Sequence, residues 1–540
     1  MSSKSHNHNH RKKKCKSKSR SQSVVSDQFM NDYRDASVTN FDDGEEIFAI
    51  KTSKIMGRYM VATRELRPGN IILSEMPIVV GPCTGCKVQC LACYQPIEES
   101  GSYAKCKGCD WPLCSANCAK LGTQFGHTKA ECTILRDCKS YRFLDYRNFS
   151  KLKENFYCIV PLRCLMLKRT DPKSYEILMK MEHHNEIRKQ LTDVWTTNQT
   201  MIVNRIISDW QMKEFSEDDV HRICGILEVN AFEIGHLGVN IRGLYPTAFL
   251  MSHNCIPNTN HNDDEDDFKL TVRASTSISI NQPITLSYAY TLQSTLKRRE
   301  HLLENKFFHC MCARCRDPTE CGTFAGALRC PKCPDGYVLA LEPLSPESDW
   351  KCNNINGCPG YKITAKSMEL LINRISREID ALDSNDLKGL EAILSKYRNV
   401  LHPTHYLFLE IKLNLSQLYG KINGYLIHEL DDEQLQRKMD ICKEIIRIFD
   451  VIEPGFTRLR GVTLYELHAP VLVLTTRQFE RQLLNKTQLR YRIKEVIRYL
   501  EEARIVLGYE PRNSPEGIMG VAAEDALDRM REWGKVVGRI

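Results

Sequence analysis

The stretch CLACYQPIEESGSYAKCKGCDWPLCSANCAKLGTQFGHTKAEC, residues 90–132, decides how the rest of the chain is read. Its ligand residues are spaced as Cys90-x2-Cys93, Cys106-x2-Cys109, Cys114-x3-Cys118 and His127-x4-Cys132. A thiol pair two or three residues apart offers both sulfurs to one ion from a tight knuckle, and a structural zinc site takes four such ligands in a tetrahedron. Seven cysteines and one histidine therefore serve two zinc ions, with interleaved pairs forming a cross-brace. Few apolar residues lie between the ligands, so metal binding is expected to contribute most of the folding free energy of this segment. An upstream pair, Cys83-x2-Cys86, offers a second register that spacing alone leaves open.

Outward from this segment, the chain of 540 residues has material for about two to four domains. With 42% hydrophobic and 26% charged residues it is an ordinary globular composition, and no apolar run has transmembrane length. No membrane partner is expected. The leader SHNHNHRKKKCKSKSRSQSVVS lacks the apolar core of a secretory signal, so a reducing nuclear and/or cytoplasmic setting is expected, where 24 cysteines mean metal sites rather than disulfides. The net charge of +8 is concentrated in this basic leader. It reads as a disordered tail over 1–44, an address or an electrostatic contact. No groove-reading helix accompanies it, so direct nucleic-acid binding beyond the tail is not expected. The acidic run 263–267 (DDEDD) reads as a solvated hairpin loop.

Two further cysteine clusters follow. Cys310-x-Cys312-x2-Cys315 supplies three thiolates and lacks a fourth ligand. Cys330-x2-Cys333 and Cys352-x5-Cys358 have ribbon-like spacing and are expected to hold a further zinc ion. Cys15, Cys138, Cys158, Cys164, Cys224 and Cys442 stand alone and read as buried or incidental thiols.

Residues 47–81, IFAIKTSKIMGRYMVATRELRPGNIILSEMPIVVG, carry β-branched runs broken at Gly57 and at Pro68-Gly69, the pattern of a short β-meander. Helical spacing dominates 133–230, strand text returns in FKLTVRAST (268–276) and ITLSYAY (284–290), and from 363 onward apolar residues recur at i, i+3 and i+4.

The motifs GRYMVATRELRPG (57–69), LEVNAFEIG (227–235), LYPTAFLMSHNCIPNTNH (244–261), ITLSYAYTLQSTLKRREHL (284–302) and the cysteines after them resemble the SMYD family, in which a SET methyltransferase domain is split by a MYND zinc finger. The likeness spans about residues 46–540 and is greatest to the arthropod-specific SmydA branch. It implies an α+β multidomain fold. A β-rich SET domain (45–290) would be split by the finger (90–132) and a helical insert (133–229). A post-SET zinc region (291–320), a ribbon-like loop (321–362) and a helical tetratricopeptide-like domain (363–540) would follow. In the family the first and third finger pairs share one ion, which assigns Cys90, Cys93, Cys114 and Cys118 to one site and Cys106, Cys109, His127 and Cys132 to the other. The resemblance also makes Cys255 the missing partner of Cys310, Cys312 and Cys315.

By the same resemblance the chain is expected to be an S-adenosylmethionine-dependent protein-lysine N-methyltransferase acting on histone or non-histone proteins. Tyr288 aligns with the essential tyrosine. Gly57, Arg58, Tyr59, Asn230, Ser252, His253, Tyr288 and Phe308 align with cofactor contacts, Phe308 as the ring stacked on adenine. Proline-containing peptides are expected as partners of the finger. Three departures point the other way, toward a catalytically weak or inactive adaptor that recruits partners. Tyr59 replaces a glycine, Ser252-His253-Asn254 replaces Asn-His-Ser, and Gln282-Pro283 replaces Gly-Glu before the catalytic strand, which should then begin later.

Overall fold

The computed structural model describes residues 46–53, 56–236 and 239–539; the expected basic tail, with Cys15, lies outside them. Strands β1 (Phe48–Ser53) and β2 (Gly57–Ala62) form an antiparallel hairpin, with Gly57 opposite Ser53. Gly57 closes it at φ 63°, a left-handed conformation that suits glycine.

The next two strands do not continue a meander. β3 (Ile71–Glu75) is the edge of a sheet ordered β10-β11-β3, where β10 is Thr259–Asp263 and β11 is Leu270–Ala274. β4 (Val79–Pro82) instead pairs with β8 (Val239–Leu244), which pairs in turn with β7 (Phe232–His236). The cause is burial: Ile72, Leu73 and Val80 share one core with Ile234, Ile241, Leu270 and Val272, residues supplied some 150 to 200 positions later. Strands this short have too little apolar surface to be stable as a local unit.

The finger contributes only a two-stranded piece, β5 (Ala104–Lys105) with β6 (Pro112–Leu113). Beside its metal ligands it has a core, and the partner is the helical insert. Trp111 is fully buried, edge-on to Phe156 at 5.3 Å and Trp210 at 6.1 Å, and its Nε1 donates to Ser140 Oγ at 2.9 Å. On its other side Tyr94 packs edge-on against Phe268 (5.9 Å), and Lys120 Nζ donates to Asp266 O (2.8 Å) in the β10–β11 hairpin. Within that turn Asp264 Oδ1 accepts the N–H groups of Asp266 and Asp267.

Helices α1 (Lys129–Asp137), α2 (Ile159–Thr170) and α3 (Glu217–Asn230), with shorter ones between, build the insert. Ser216 and Asp219 form a capping box at the start of α3, and Glu217, Asp218 and Asp219 place negative charge at its positive end. β9 (Ser252–His253) pairs in parallel with β12 (Thr285–Leu286), and the loop after β9 brings Asn258 back beside Pro283 and Thr285. Pro283 donates nothing, and β12 starts two residues beyond it. The Asn258 side chain covers the gap, its Nδ2 donating to Pro283 O (2.8 Å) and its Oδ1 accepting Thr285 N–H (2.8 Å).

α4 (Thr295–Lys306) leads to a four-stranded antiparallel sheet of β13 (Leu328–Arg329), β14 (Tyr337–Ala340), β15 (Trp350–Cys352) and β16 (Lys362–Ile363). The remainder is helical: α5 (Ala365–Asp380), α6 (Leu387–Tyr397), α7 (Tyr406–Leu418), α8 (Asp432–Ile452), α9 (Arg458–Glu480), α10 (Lys486–Leu507) and α11 (Pro515–Arg539). This array meets the β domain at Gly455, where Phe456 N–H donates to Ser275 O at 2.9 Å, and at Tyr509, whose ring lies under Arg273 at 4.5 Å. Among the described residues no helix is long and apolar enough to cross a membrane.

Candidate active site and metal centres

Zinc–sulfur bonds of about 2.3 Å in a tetrahedron set sulfurs about 3.8 Å apart. In the finger, Cys90 Sγ lies 3.9 Å from Cys118 Sγ, and Cys93 Sγ lies 3.6 Å from Cys114 Sγ. In the second set, Cys106 and Cys132 sulfurs are 3.6 Å apart and Cys109 Sγ is 3.3 Å from His127 Nε2. The four donors of each set converge within 4.8 Å. Cys83 and Cys86 join neither set, which settles the register that spacing left open. The residues between His127 and Cys132 open α1: Thr128 caps the helix, and Cys132 N–H donates to Thr128 O at 2.9 Å.

Behind His127 stands a buried polar network. Its Nδ1 is 3.7 Å from Glu131 Oε2, and Glu131 is paired with Arg163 at 3.0 Å. A carboxylate behind a metal-binding histidine fixes the ring's orientation. Arg163 also donates to Val80 O (2.7 Å), Leu91 O (3.2 Å) and Gly126 O (3.3 Å), so one guanidinium joins the insert, the finger and β4. Burial alone would raise the Glu131 carboxyl, but the charges and hydrogen bonds of Arg163 and His127 together outweigh it and hold the carboxyl below its usual range.

Cys255, on the loop after β9, closes the incomplete cluster. Its Sγ is 3.8 Å from that of Cys310 and 3.5 Å from that of Cys315, and all four sulfurs of the set with Cys312 lie within 4.8 Å. The charge around them fits an anionic metal–thiolate group. Glu320 is buried between Arg298 (2.8 Å) and Arg314 (3.0 Å), a triad of net positive charge, and Arg298 Nη2 also donates to Cys315 Sγ at 3.7 Å. One carboxylate cannot balance two buried guanidinium ions; four thiolates on a divalent ion supply the remaining negative charge.

Next to this cluster the rings of Tyr288, His253 and Phe308 gather, with centroids 5.3 Å (His253–Tyr288), 5.9 Å (His253–Phe308) and 6.5 Å (Tyr288–Phe308) apart. The Tyr288 hydroxyl donates to Met251 O, and its backbone N–H donates to His253 Nδ1 at 3.0 Å. Tyr288 keeps part of its surface open, yet the burial around its hydroxyl pushes the phenol pKa up, so it stays protonated.

Asn230 ends α3, donating to Glu182 O (2.7 Å) and Ile226 O (2.8 Å). Arg58 lies over the Phe249 ring and donates to Lys180 O. The 180–184 segment thus links Arg58 and Asn230, and His184 continues it edge-on to Phe307 at 6.2 Å. Gly57 and Tyr59 belong to the β1–β2 hairpin. Tyr59 is a regular strand residue opposite Lys51, so its side chain imposes none of the strain expected for a replaced glycine. Ser252 is held through the backbone in β9, opposite Thr285.

Two features were not found from the sequence. One is the 180–184 segment, which lacks regular spacing. The other is Lys306, the last residue of α4, whose Nζ donates to Glu228 O (3.1 Å) and Val229 O (2.9 Å) at the negative end of α3 and lies 5.7 Å from the centre of the Tyr288 ring. Burial pushes Lys306 down to about 8. Nothing in the local sequence marks it, because both of its partners are brought in by folding.

No family model matches the chain. SET domain-containing protein SmydA-8, isoform B, of Drosophila melanogaster is 27% identical over 435 residues, 78% of this chain and 91% of that protein. Histone-lysine N-methyltransferase ASHR1 of Arabidopsis thaliana is 24% identical, covering 76% of this chain and 83% of its own length. Histone-lysine N-methyltransferase SMYD3 of Homo sapiens is 25% identical over 278 residues, 48% of this chain and 59% of that protein. With its finger inserted between β4 and β8, its thiol sets in the family's pairing and these relatives alongside, the chain is similar to the SET and MYND proteins, and to SmydA-8 among them.

Proposed function

We propose that this protein is an S-adenosylmethionine-dependent protein-lysine N-methyltransferase. The observation that carries the reading is the convergence of Tyr288, His253 and Phe308 beside the closed Cys255–Cys315 cluster. Two of the relatives are named histone-lysine N-methyltransferases, which supports the same class.

S-adenosylmethionine supplies an electrophilic methyl group on a sulfonium centre. The chain's own part is positioning. Phe308 provides a face for the adenine, and Arg58, Asn230 and the backbone at Ser252 and His253 line the remaining wall. The rings around Tyr288 keep water from the incoming lysine, and desolvation favours its neutral, nucleophilic form. The protonated Tyr288 hydroxyl and Met251 O then orient the amine in line with the methyl. Zinc is structural here: two ions hold the finger and one ties the post-SET loop to β9, closing the wall behind Phe308. The substrate is a protein lysine, in histones or elsewhere, met in the nucleus and/or cytoplasm, and proline-containing peptides would bind the finger.

Calorimetry on the purified chain tests this. S-adenosylmethionine is expected to bind, methyl transfer to a protein substrate is expected to follow, and Tyr288→Phe should lose transfer while keeping cofactor binding. Absence of binding at millimolar cofactor rejects the reading. Partner capture that survives Tyr288→Phe and fails in Cys114→Ser, without any methyl transfer, would make the protein an adaptor instead.

A further inference from the structure

The sheet β13–β16 lies beyond the post-SET region, and its turns carry two thiol pairs. Cys330 and Cys333 occupy the β13–β14 turn, Cys352 ends β15, and Cys358 sits in the loop before β16. The sulfurs of Cys330 and Cys358 are 3.7 Å apart, as are those of Cys333 and Cys352, and all four lie within 4.8 Å of one another. Those separations match a tetrahedral zinc–thiolate cage and are far longer than the roughly 2 Å of a disulfide.

We infer that these thiolates hold a zinc ion beyond the two of the finger and the one of the post-SET cluster, and that this ion builds the base on which the helical array stands. The backbone around the sulfurs is shaped for the purpose. A Cβ on Gly336 would fall 2.4 Å from Cys352 Sγ and 2.6 Å from Cys333 Sγ, so the turn passes over the sulfurs only because that residue is glycine. Lys332 N–H points at Cys330 Sγ (3.4 Å) and Asn354 Nδ2 at Cys333 Sγ (3.8 Å), donors of the kind that stabilise bound thiolate.

The sheet is also the seam with the helices. Arg329 N–H donates to Val400 O (2.8 Å), His402 N–H to Ala327 O (3.1 Å), and Tyr406 N–H to Ala325 O (2.8 Å), joining β13 and the residues before it to the α6–α7 connection. Cys330, Cys333, Val338, Trp350 and Cys352 are buried in the same core as Met368, Ile372 and Leu401. Strands of two to four residues cannot hold such a sheet by themselves, and a metal cross-link fixes both turns at once.

The test is a zinc count on the full-length protein by elemental mass spectrometry. The inference expects four ions per chain in the wild type and three in Cys330→Ser/Cys352→Ser, with hydrogen exchange rising over 325–365 and 398–406 but not over 90–132. Gly336→Ala, which keeps every thiol, should also fall to three. Should the double serine variant fail to fold, the wild-type count and the glycine variant decide. Three zinc ions in the wild type, an unchanged count in Gly336→Ala, or a denatured mass four hydrogens short from two disulfides would each overturn it. Tyr288→Phe should leave the count at four, so this result stands apart from the methyl-transfer reading.

Discussion

His253 Nδ1 accepts the backbone N–H of Tyr288 at 3.0 Å, while its other ring nitrogen, Nε2, lies 3.2 Å from Cys255 Sγ. A ring that accepts on Nδ1 carries its proton on Nε2 when neutral, and that proton points at a thiolate of the post-SET cluster. One side chain therefore spans the distance between a metal ligand and the strand end that presents Tyr288.

Removing that span should loosen Tyr288 without emptying the metal site, because the four thiolates remain. His253→Ala is expected to lower kcat about 10- to 100-fold, the usual cost of losing a group that orients metal ligands, with zinc content unchanged. Steady-state methyl transfer and elemental analysis on the same preparation check both halves; wild-type kcat in the variant would remove the positioning role.

Glu131→Ala should be among the most damaging single changes outside the ligands. It leaves Arg163 without its buried partner and His127 Nδ1 without its orienting carboxylate. Breaking one side of a buried ion pair costs about 3–5 kcal/mol. Thermal melts should show a large fall in Tm, and a zinc indicator should show earlier release under chelator; a Tm shift within a degree would contradict the network.

The α6–α7 connection holds two neutral histidines whose Nδ1 atoms accept backbone N–H groups, His402 from Thr404 (3.1 Å) and His405 from Leu407 (3.3 Å). Burial pushes His402 down to about 4 and His405 to about 3, with Arg329 and Lys412 adding to the effect at His402. The unfolded chain takes up these protons near pH 6.5, so the stability they contribute is complete above that pH and is lost as pH falls toward the folded values. Each is expected to remove up to about 1.4 kcal/mol per pH unit below 6.5. His405→Asn keeps the N-cap acceptor and cannot titrate there, so its melting temperature should fall less steeply than the wild type between pH 6.5 and 5.

Gly455→Ala tests the seam between the β domain and the helical array. Gly455 has φ 84°, and a Cβ there would sit 1.8 Å from Ser275 O, the acceptor of the Phe456 N–H bond. Backbone strain of about 1–3 kcal/mol and the lost bond should lower Tm and raise protease cleavage near 455, whereas a variant as stable as the wild type would show that the seam is soft.

The finger's thiol pairs were legible because cysteines two or three residues apart act locally, while spacing alone left Cys83 and Cys86 as a second register. The helices of the insert and of the C-terminal array were legible for the same reason, through apolar spacing along single segments. β3 and β4 were misread as a meander, since strand partners 150 or more residues away leave no local mark. Trp111 shows the same limit. A tryptophan between cysteines carries no sign that Phe156 and Trp210 will enclose it.

By itself, then, the sequence determined the thiol pairs and their spacing, the order of β, finger and helical segments, and the glycine at Gly57. Only the tertiary structure decided that Cys83 and Cys86 stay out of the metal sets, that Arg163 locks the finger to β4, and that His253 and Lys306 converge on Tyr288. The division follows from range. Chelation, capping and turn geometry depend on residues a few positions apart, whereas burial, charge compensation and the aim of a side chain depend on surfaces that meet only after the chain has folded.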